Sequence, residues 1–488
     1  MPPTDMFDRA WEWQALTRFA ADPAGGATLG VVRGRRRQGK SFLLHALCEA
    51  LGGLYYEAYQ GQEAEILRHF GAKLAEFTGA PGRVAFDSWE DAIGALLDLA
   101  REEPVLVVLD EFAYLAAATP ELPSILQGAF GPRSGRRQRS RTRLILCSSA
   151  LTFMSRLLSG DAPLRGRASL ELPVHPFDYQ QAAEFWGLSR DPELAFRVYA
   201  VVGGTPAYRR EFVRGDAPAD LGDFDSWVVR SVLDPAVPLF FEGRYLLAED
   251  PGTGEIRAKA LYHSVLGAIA EGNTTRGAIA SYLGRRSPDI GHPLSVLEDA
   301  GLIRKEEDAL KRGKPRYEIA EPIIRFYHAV MRPWWGQLER PGSAARVWAD
   351  VQGTFRAAVL GPAFEEVCRA WTAHVTAPRG GHVVHVGHTV LTDRGKRTTH
   401  RVDVIAFGER HSNGRRRVLV LGEAKYGQVM GAKHLERLRR VRDLLATRDD
   451  LDLEGCRLAC FSAAGFAPGL DQQQDALLVD LPRLYGEA

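Results

Sequence analysis

Gly34, Gly39, Lys40 and Ser41 occupy the fixed positions of an octapeptide, GRRRQGKS, with the spacing of a phosphate-binding loop. The glycines permit a tight turn, the lysine can reach β- and γ-phosphates, and the serine hydroxyl can sit on a magnesium ion. Arg35, Arg36, Arg37 and Gln38 fill the variable positions, and Phe42 follows. Asp110 and Glu111 end an apolar run, PVLVVLD. Such a pair suits magnesium held through water by Asp110 and an attacking water polarised by Glu111. A third set comprises Glu365, Asp403, Glu423 and Lys425. Two carboxylates can bind Mg2+, while a lysine positions or activates water for phosphodiester attack.

These residues need particular elements beneath them. A phosphate loop must leave a strand and open a helix so that backbone N–H groups point at the anion. Residues 27–32 (ATLGVV) are short and apolar like a buried strand, and residues 42–51 carry apolar side chains at helical spacing. Residues 104–110 read as a strand buried on both faces, and residues 143–147 (RLILC) as another. The latter ends in Ser148-Ser149, where Ser148 is placed to orient water or sense the γ-phosphate; a simple turn is the competing reading. Arg165 and Arg167 precede a further strand-like run at 170–174, and Arg167 is the favoured transition-state cation.

Several segments together resemble the archaeal-type AAA ATPase family, in the signal-transducing branch of the P-loop proteins. Phe7-Asp8-Arg9 with Glu12 is similar to that family's opening FxRxxEL box, from which Trp13 departs. The resemblance places Phe7 and Arg9 against the nucleotide base. The phosphate loop, residues 108–111, Ser148-Ser149, residues 163–167 and residues 203–208 (GGTPAY) match the remaining blocks in order. Residues 203–208 resemble the GGxPxY segment of the helical lid, which brings Pro206 toward nucleotide; a plain helix break is the alternative. The cofactors so implied are ATP and Mg2+.

Downstream, residues 256–270, 275–283 and 293–300 read as helices, followed by strands at 302–305 and 317–319 with a basic link, 311–316. That is the order of a winged helix, which either holds DNA through its third helix and wing or packs internally. In the last third, Glu365 lies on an expected helix, Asp403 on a strand, and Glu423 and Lys425 on the next, joined through a turn at 412–414. Strand alternation puts Glu423 and Lys425 on one face. The set resembles the PD-(D/E)xK restriction-endonuclease-like superfamily, with residues 434–461 as its later helix and strand. His382, His385 and His388 do not make an obvious three-ligand site on a strand.

The expected architecture is thus a multidomain α/β chain. It comprises a three-layer P-loop core (1–176), a helical lid (177–250), a winged helix (251–340) and an α/β nuclease-like domain (341–488). The expected function is an ATPase controlling a magnesium-dependent, DNA-directed nuclease-like domain. The alternative is a nucleotide switch whose inactive C-terminal domain binds DNA or a protein partner. Length favours several domains: 488 residues at about 100–200 per unit. No apolar stretch is long enough to cross a bilayer and the start lacks signal-peptide features, so no membrane partner is expected and the cytoplasm is the expected location. The five scattered cysteines read as small core residues. Net charge is only +1, yet residues 132–143 hold six arginines, a tract suited to DNA phosphate or to a solvated loop. A second copy of the chain is a further candidate partner.

Overall fold

The computed structural model describes residues 2–82, 84–160, 162–246, 256–374, 382–393, 395, 397–412 and 414–486. Asn413 of the expected turn and residues 251–255 of the expected third unit lie outside them. Apolar runs bounded by glycine, proline and charge become strands β1 (Thr28–Arg33), β2 (Leu54–Glu57), β3 (Val105–Asp110), β4 (Thr142–Ser148) and β5 (Ala168–Pro173). They form one parallel sheet in the order β2-β3-β4-β1-β5. Residues 105–110 and 142–148 are almost wholly buried because helices cover both faces. Leu29 and Val31 enter one core with Trp89, Phe112 and Leu144, while Val32 enters the other with Leu43, Val108 and Ile145.

Beyond β5 the chain does not form separate beads. A single apolar cluster runs from Phe177 through Trp227, Phe240, Leu266, Leu297, Ile324 and Phe364 to Leu484. Helix Ala344–Asp350, on the far side of the boundary expected at 340, packs on helix Phe224–Ser231, and Trp348 Nε1 donates to Asp225 at 2.9 Å. That boundary therefore falls within one packed helical unit, a continuity created by aromatic residues distant in sequence.

Helices Ile256–Ala270, Arg276–Tyr282 and Gly291–Asp299 are followed by an antiparallel pair, β6 (Ile303–Asp308) and β7 (Lys311–Ile319). The basic tract 311–316, expected as a link, is strand; only Ala309 and Leu310 separate β6 from β7. Backbone pairing with β6 and a bridge between Thr275 and Arg316 hold it extended despite its charge.

The last sheet contains β8 (His385–Asp393), β9 (Thr398–Arg410), β10 (Arg416–Lys425), β11 (Leu451–Asp452), β12 (Arg457–Ser462) and β13 (Ala476–Val479). Its path is β13-β12-β10-β9-β8, with β11 beside β10. Strands β8, β9 and β10 are antiparallel, and helix Ala432–Ala446 crosses over so that β12 runs parallel to β10. Alternation sends Val404 and Ala406 into the shared core and Ile405 and Phe407 to the opposite face, which Leu435, Leu438 and Val441 cover. All five cysteines are free and buried.

Candidate functional site

The parallel register brings the ends of β1, β3 and β4 to one edge of the first sheet. There the loop after β1 opens helix Lys40–Leu51, with Gly39 at its N-cap in the left-handed conformation, φ 86°. A side chain at 39 would strain that backbone. Gly34 is demanded differently: a Cβ there would fall inside contact distance of the Val174 carbonyl oxygen. Lys40 is buried and donates to the Arg35 carbonyl at 2.8 Å. Burial pushes its ammonium below the usual range, opposed by Cys147, Glu111 and Asp110.

Asp110 accepts from Tyr55 Oη at 2.6 Å and from the Glu111 N–H at 2.8 Å. Burial pushes its carboxyl up, but hydrogen bonds from Cys147, Tyr55, Ser41 and the Glu111 backbone together hold it below the ordinary range. A buried, ionised carboxylate bonded to the Ser41 hydroxyl is a donor pair that fits a hard divalent cation. Glu111 is left-handed, φ 50°, and accepts from Ser149 Oγ at 3.0 and 3.1 Å. Arg36 Nε donates to Ser149 Oγ at 3.2 Å and Arg36 Nη2 to Tyr114 Oη at 2.8 Å.

A cavity of about 690 Å³ joins this end to an aromatic end. Phe7, Phe177 and Phe185 meet there with centroids 5.1–5.2 Å apart. Arg9 lies over Phe177 at 4.6 Å and donates to the His175 and Gln38 carbonyls at 2.7 and 3.3 Å, tying the N-terminal segment to the phosphate loop. Pro206 and Phe42 also line the cavity, and the Ala207 N–H meets the Arg37 carbonyl at 3.4 Å. The size and mixed lining suit a small phosphorylated ligand with a flat ring.

Three expected residues are placed elsewhere. Ser148, the last residue of β4, is fully buried and accepts from the Ala150 N–H; the next residue, Ser149, has left the strand and faces the cavity. Arg167 precedes the first residue of β5, and Ala168 pairs with Leu29 near the start of the parallel β1. It stands at the opposite end of the sheet from the phosphate loop and cannot serve that loop's ligand within one chain. Arg35 turns away from the cavity to an ion pair with Glu321, while Arg37 pairs with Glu242 at 2.7 Å. Tyr55, Tyr114, Phe177 and Phe185 were not singled out by the sequence, whereas Ser149 belongs to the serine pair that was; only spacing after the acidic pair could have suggested Tyr114.

The other three acids and their lysine converge at the last sheet. Register between β8 and β9 shifts between Gly387 and Thr389, opposite residues 403 and 404, a bulge of the kind that re-aims a side chain. Buried Asp403 accepts from the Ala424 N–H at 3.1 Å, and Lys425 Nζ lies 3.2 Å from Glu423 and 3.7 Å from Asp403. Arg401 joins Asp403, at 2.9 Å, to Glu365 on helix Gly361–Ala373. Arg437, on the crossover helix, pairs with buried Glu423. Burial and the Asp403 charge hold the Glu365 carboxyl above its ordinary range, against Arg401 and Arg369. Neither arginine partner was singled out from the sequence.

His382 and His385 are exposed, whereas His388 is buried, 3.3 Å from Glu306 and within 4.8 Å of a Glu318 oxygen. Arg369 donates to Glu318 at 2.9 Å, so a guanidinium already neutralises this group.

Parallel sheet, phosphate loop and paired acids define a P-loop ATPase fold with a further C-terminal sheet. Residues 6–211 match the model of a family described as an ATPase domain predominantly from Archaea. An uncharacterized protein of Methanocaldococcus jannaschii is 27% identical over 308 residues, covering 62% of this chain and 64% of its own length. The chain therefore spans just under two thirds of that relative. A Walker-type ATPase of Pyrococcus abyssi is similar in structure with a TM-score of 0.52 at 22% identity, over 66% of this chain and 96% of that one. Among the described residues, no helix is long and apolar enough to cross a membrane.

Proposed function

We propose that the chain hydrolyses ATP and uses its nucleotide state to control a DNA-directed, magnesium-dependent nuclease-like domain. The observation that carries this reading is a chain of ion pairs linking the two centres. Arg35 of the phosphate loop pairs with Glu321, which precedes helix Pro322–Phe326; Arg325 of that helix reaches Glu366 at 3.2 Å; and adjacent Glu365 is joined through Arg401 to Asp403. A shift of the phosphate loop on binding nucleotide has a direct physical route to the second set of acids.

At the first centre the aromatic end receives the base and the loop N–H groups cradle phosphate. Ser41 and Asp110 would hold Mg2+, which neutralises charge on the phosphates when bound. Glu111 takes the proton of the attacking water, while Ser149 fixes its carboxylate. At the second centre Asp403 and Glu423 would hold the metal ion, and Lys425 would position water beside them. The order of helix, three antiparallel strands, crossover helix and a fourth strand parallel to the third supports reading that domain as PD-(D/E)xK-like.

The three helices and hairpin at 256–319 fit a winged helix used for internal packing. The exposed residues of helix Gly291–Asp299 include Glu298 and Asp299, which repel phosphate, while Leu294, Val296 and Leu297 are buried. The hairpin is bonded to the last sheet, Ala309 N–H donating to the His388 carbonyl at 2.9 Å. In the arginine tract, Arg143 is buried on the Asp22, Ala24 and Gly26 carbonyls and Arg137 donates to the Ala27 carbonyl. Part of that tract therefore supports the fold, and DNA contact falls to the C-terminal domain.

A second reading rests on Arg401 and Arg437, which already neutralise the acids: a switch with an inactive C-terminal domain that binds DNA or a protein partner. The deciding experiment is cleavage of duplex and branched DNA with Mg2+. Active nuclease chemistry predicts cleavage that Asp403→Ala lowers by at least about a hundredfold. No cleavage with any divalent cation, alongside normal ATP hydrolysis, selects the second reading.

A further inference from the structure

The displacement of Arg167 leaves the nucleotide cavity without the transition-state cation its sequence position promised, and the structure offers another. The cations lining the cavity are Arg9, Arg36, Arg37, Lys40 and Arg210. Arg9 is bound to Glu12 and to two backbone carbonyls, and Arg37 to Glu242. Arg210 lies over Phe42 and Phe185 at the aromatic end. Lys40 is the fixed lysine of the loop. Arg36 is joined by hydrogen bonds to the water-activating carboxylate: its guanidinium donates to Ser149 Oγ, and that hydroxyl donates to Glu111. Tyr114, two residues into the helix that Glu111 caps, holds the other side of the guanidinium.

From this network we infer that Arg36, a variable position of the phosphate loop, is a catalytic residue that stabilises the γ-phosphoryl transition state in cis. The inference rests on the reading of the chain as an ATP hydrolase. As the water oxygen bonds to the γ-phosphorus, the bond to the β,γ-bridging oxygen breaks and its electron pair leaves with ADP. The water proton passes to the Glu111 carboxylate and then to the released phosphate. Negative charge grows on the bridging and γ-phosphoryl oxygens, where a fixed guanidinium contributes most. Arg36 and Lys40 both line the cavity beside Glu111 and Ser149, which places both cations at its phosphate end. Ser149 couples the parts: one hydroxyl orients both the base and the cation.

The test is steady-state hydrolysis of MgATP by the full chain and by Arg36→Ala, Arg36→Lys and Arg167→Ala, with ADP affinity and melting temperature measured for each. The expected result is a kcat at least about a hundredfold lower in Arg36→Ala, with KM and ADP affinity within about threefold of wild type. Arg36→Lys recovers part of the loss, and added guanidinium ion partly rescues Arg36→Ala, which a purely structural role would not produce. Arg167→Ala hydrolyses at the wild-type rate. A kcat for folded, ADP-binding Arg36→Ala within about threefold of wild type overturns the proposal. So does a collapse of kcat in Arg167→Ala alone, which would mean a cation donated by a second copy. If the wild-type chain does not hydrolyse ATP, the parent reading fails and is seen to fail first.

Discussion

Glu111 holds a left-handed backbone, φ 50°, a conformation that costs a non-glycine residue about 1–3 kcal/mol. The neighbouring geometry shows what the strain achieves: Asp110 points back into the sheet to Tyr55 and Ser41, while Glu111 turns outward to Ser149 and the cavity. Two adjacent carboxylates thereby take different tasks, one to hold a cation and one to take a proton. Glu111→Gln preserves shape and an oxygen able to accept from Ser149 but removes the base. It is expected to lower kcat by about a hundredfold to ten-thousandfold, with ADP affinity changed by less than about threefold. Phosphate release under saturating ATP, with calorimetric ADP titration, checks both numbers. Undiminished phosphate release would remove Glu111 from the chemistry.

Among the elements, the tightest constraint is where β1 leaves the sheet. Gly34 faces the Val174 carbonyl just beyond β5, so Gly34→Ala must push strand exit and β5 apart. The expected cost is about 1–3 kcal/mol in stability, with ADP binding weakened by at least about tenfold as the loop is displaced. Thermal melting and ADP titration measure the two effects; an unchanged melting temperature would show that the strand exit is more pliable than its packing implies. The sheet itself was legible because β1, β3 and β4 each carry a short, largely apolar run, which the helices on both faces require. Strand ends were harder to read. Ser148 closes β4 and Ser149 lies just past it, and sequence alone does not fix where the strand ends; Arg167 sits beside a strand, but only the parallel register reveals the wrong end. Residues 311–316 carried a loop-like charge pattern, yet pairing with β6 outweighs it. Glu423 and Lys425 were legible because a two-residue spacing shares a strand face. Their partners Arg401 and Arg437 were not, since nothing in an arginine-rich chain distinguishes two arginines that meet only after folding.

At the scale of the molecule, the loop that grips phosphate is itself gripped from downstream. Glu242 of helix Pro238–Tyr245 receives both Arg37 and Tyr208, and Glu321 receives Arg35, so two buried carboxylates from distant parts of the chain fix the variable positions of the loop. Glu366 then gathers Arg304 at 2.5 Å and Arg325 at 3.2 Å beside the acids of the last sheet. Removing one partner of such a buried group leaves the other charge uncompensated, at about 3–5 kcal/mol, which makes the network a two-way constraint. Proximity along a chain of contacts is not itself coupling; a thermodynamic cycle is needed to demonstrate it. Glu366→Gln keeps the shape of the side chain, touches no cavity residue, and releases Arg325. If the network couples the centres, this change alters ADP affinity by about threefold or more, and the effect vanishes when Arg35→Ala is already present, because the route has been cut. Calorimetric ADP titration of the two single variants and the double variant gives the coupling energy without any DNA cleavage. Affinities that combine additively would mean that the ion pairs only hold the units together, and that nucleotide state reaches the last sheet through the shared apolar core running from Phe177 to Leu484.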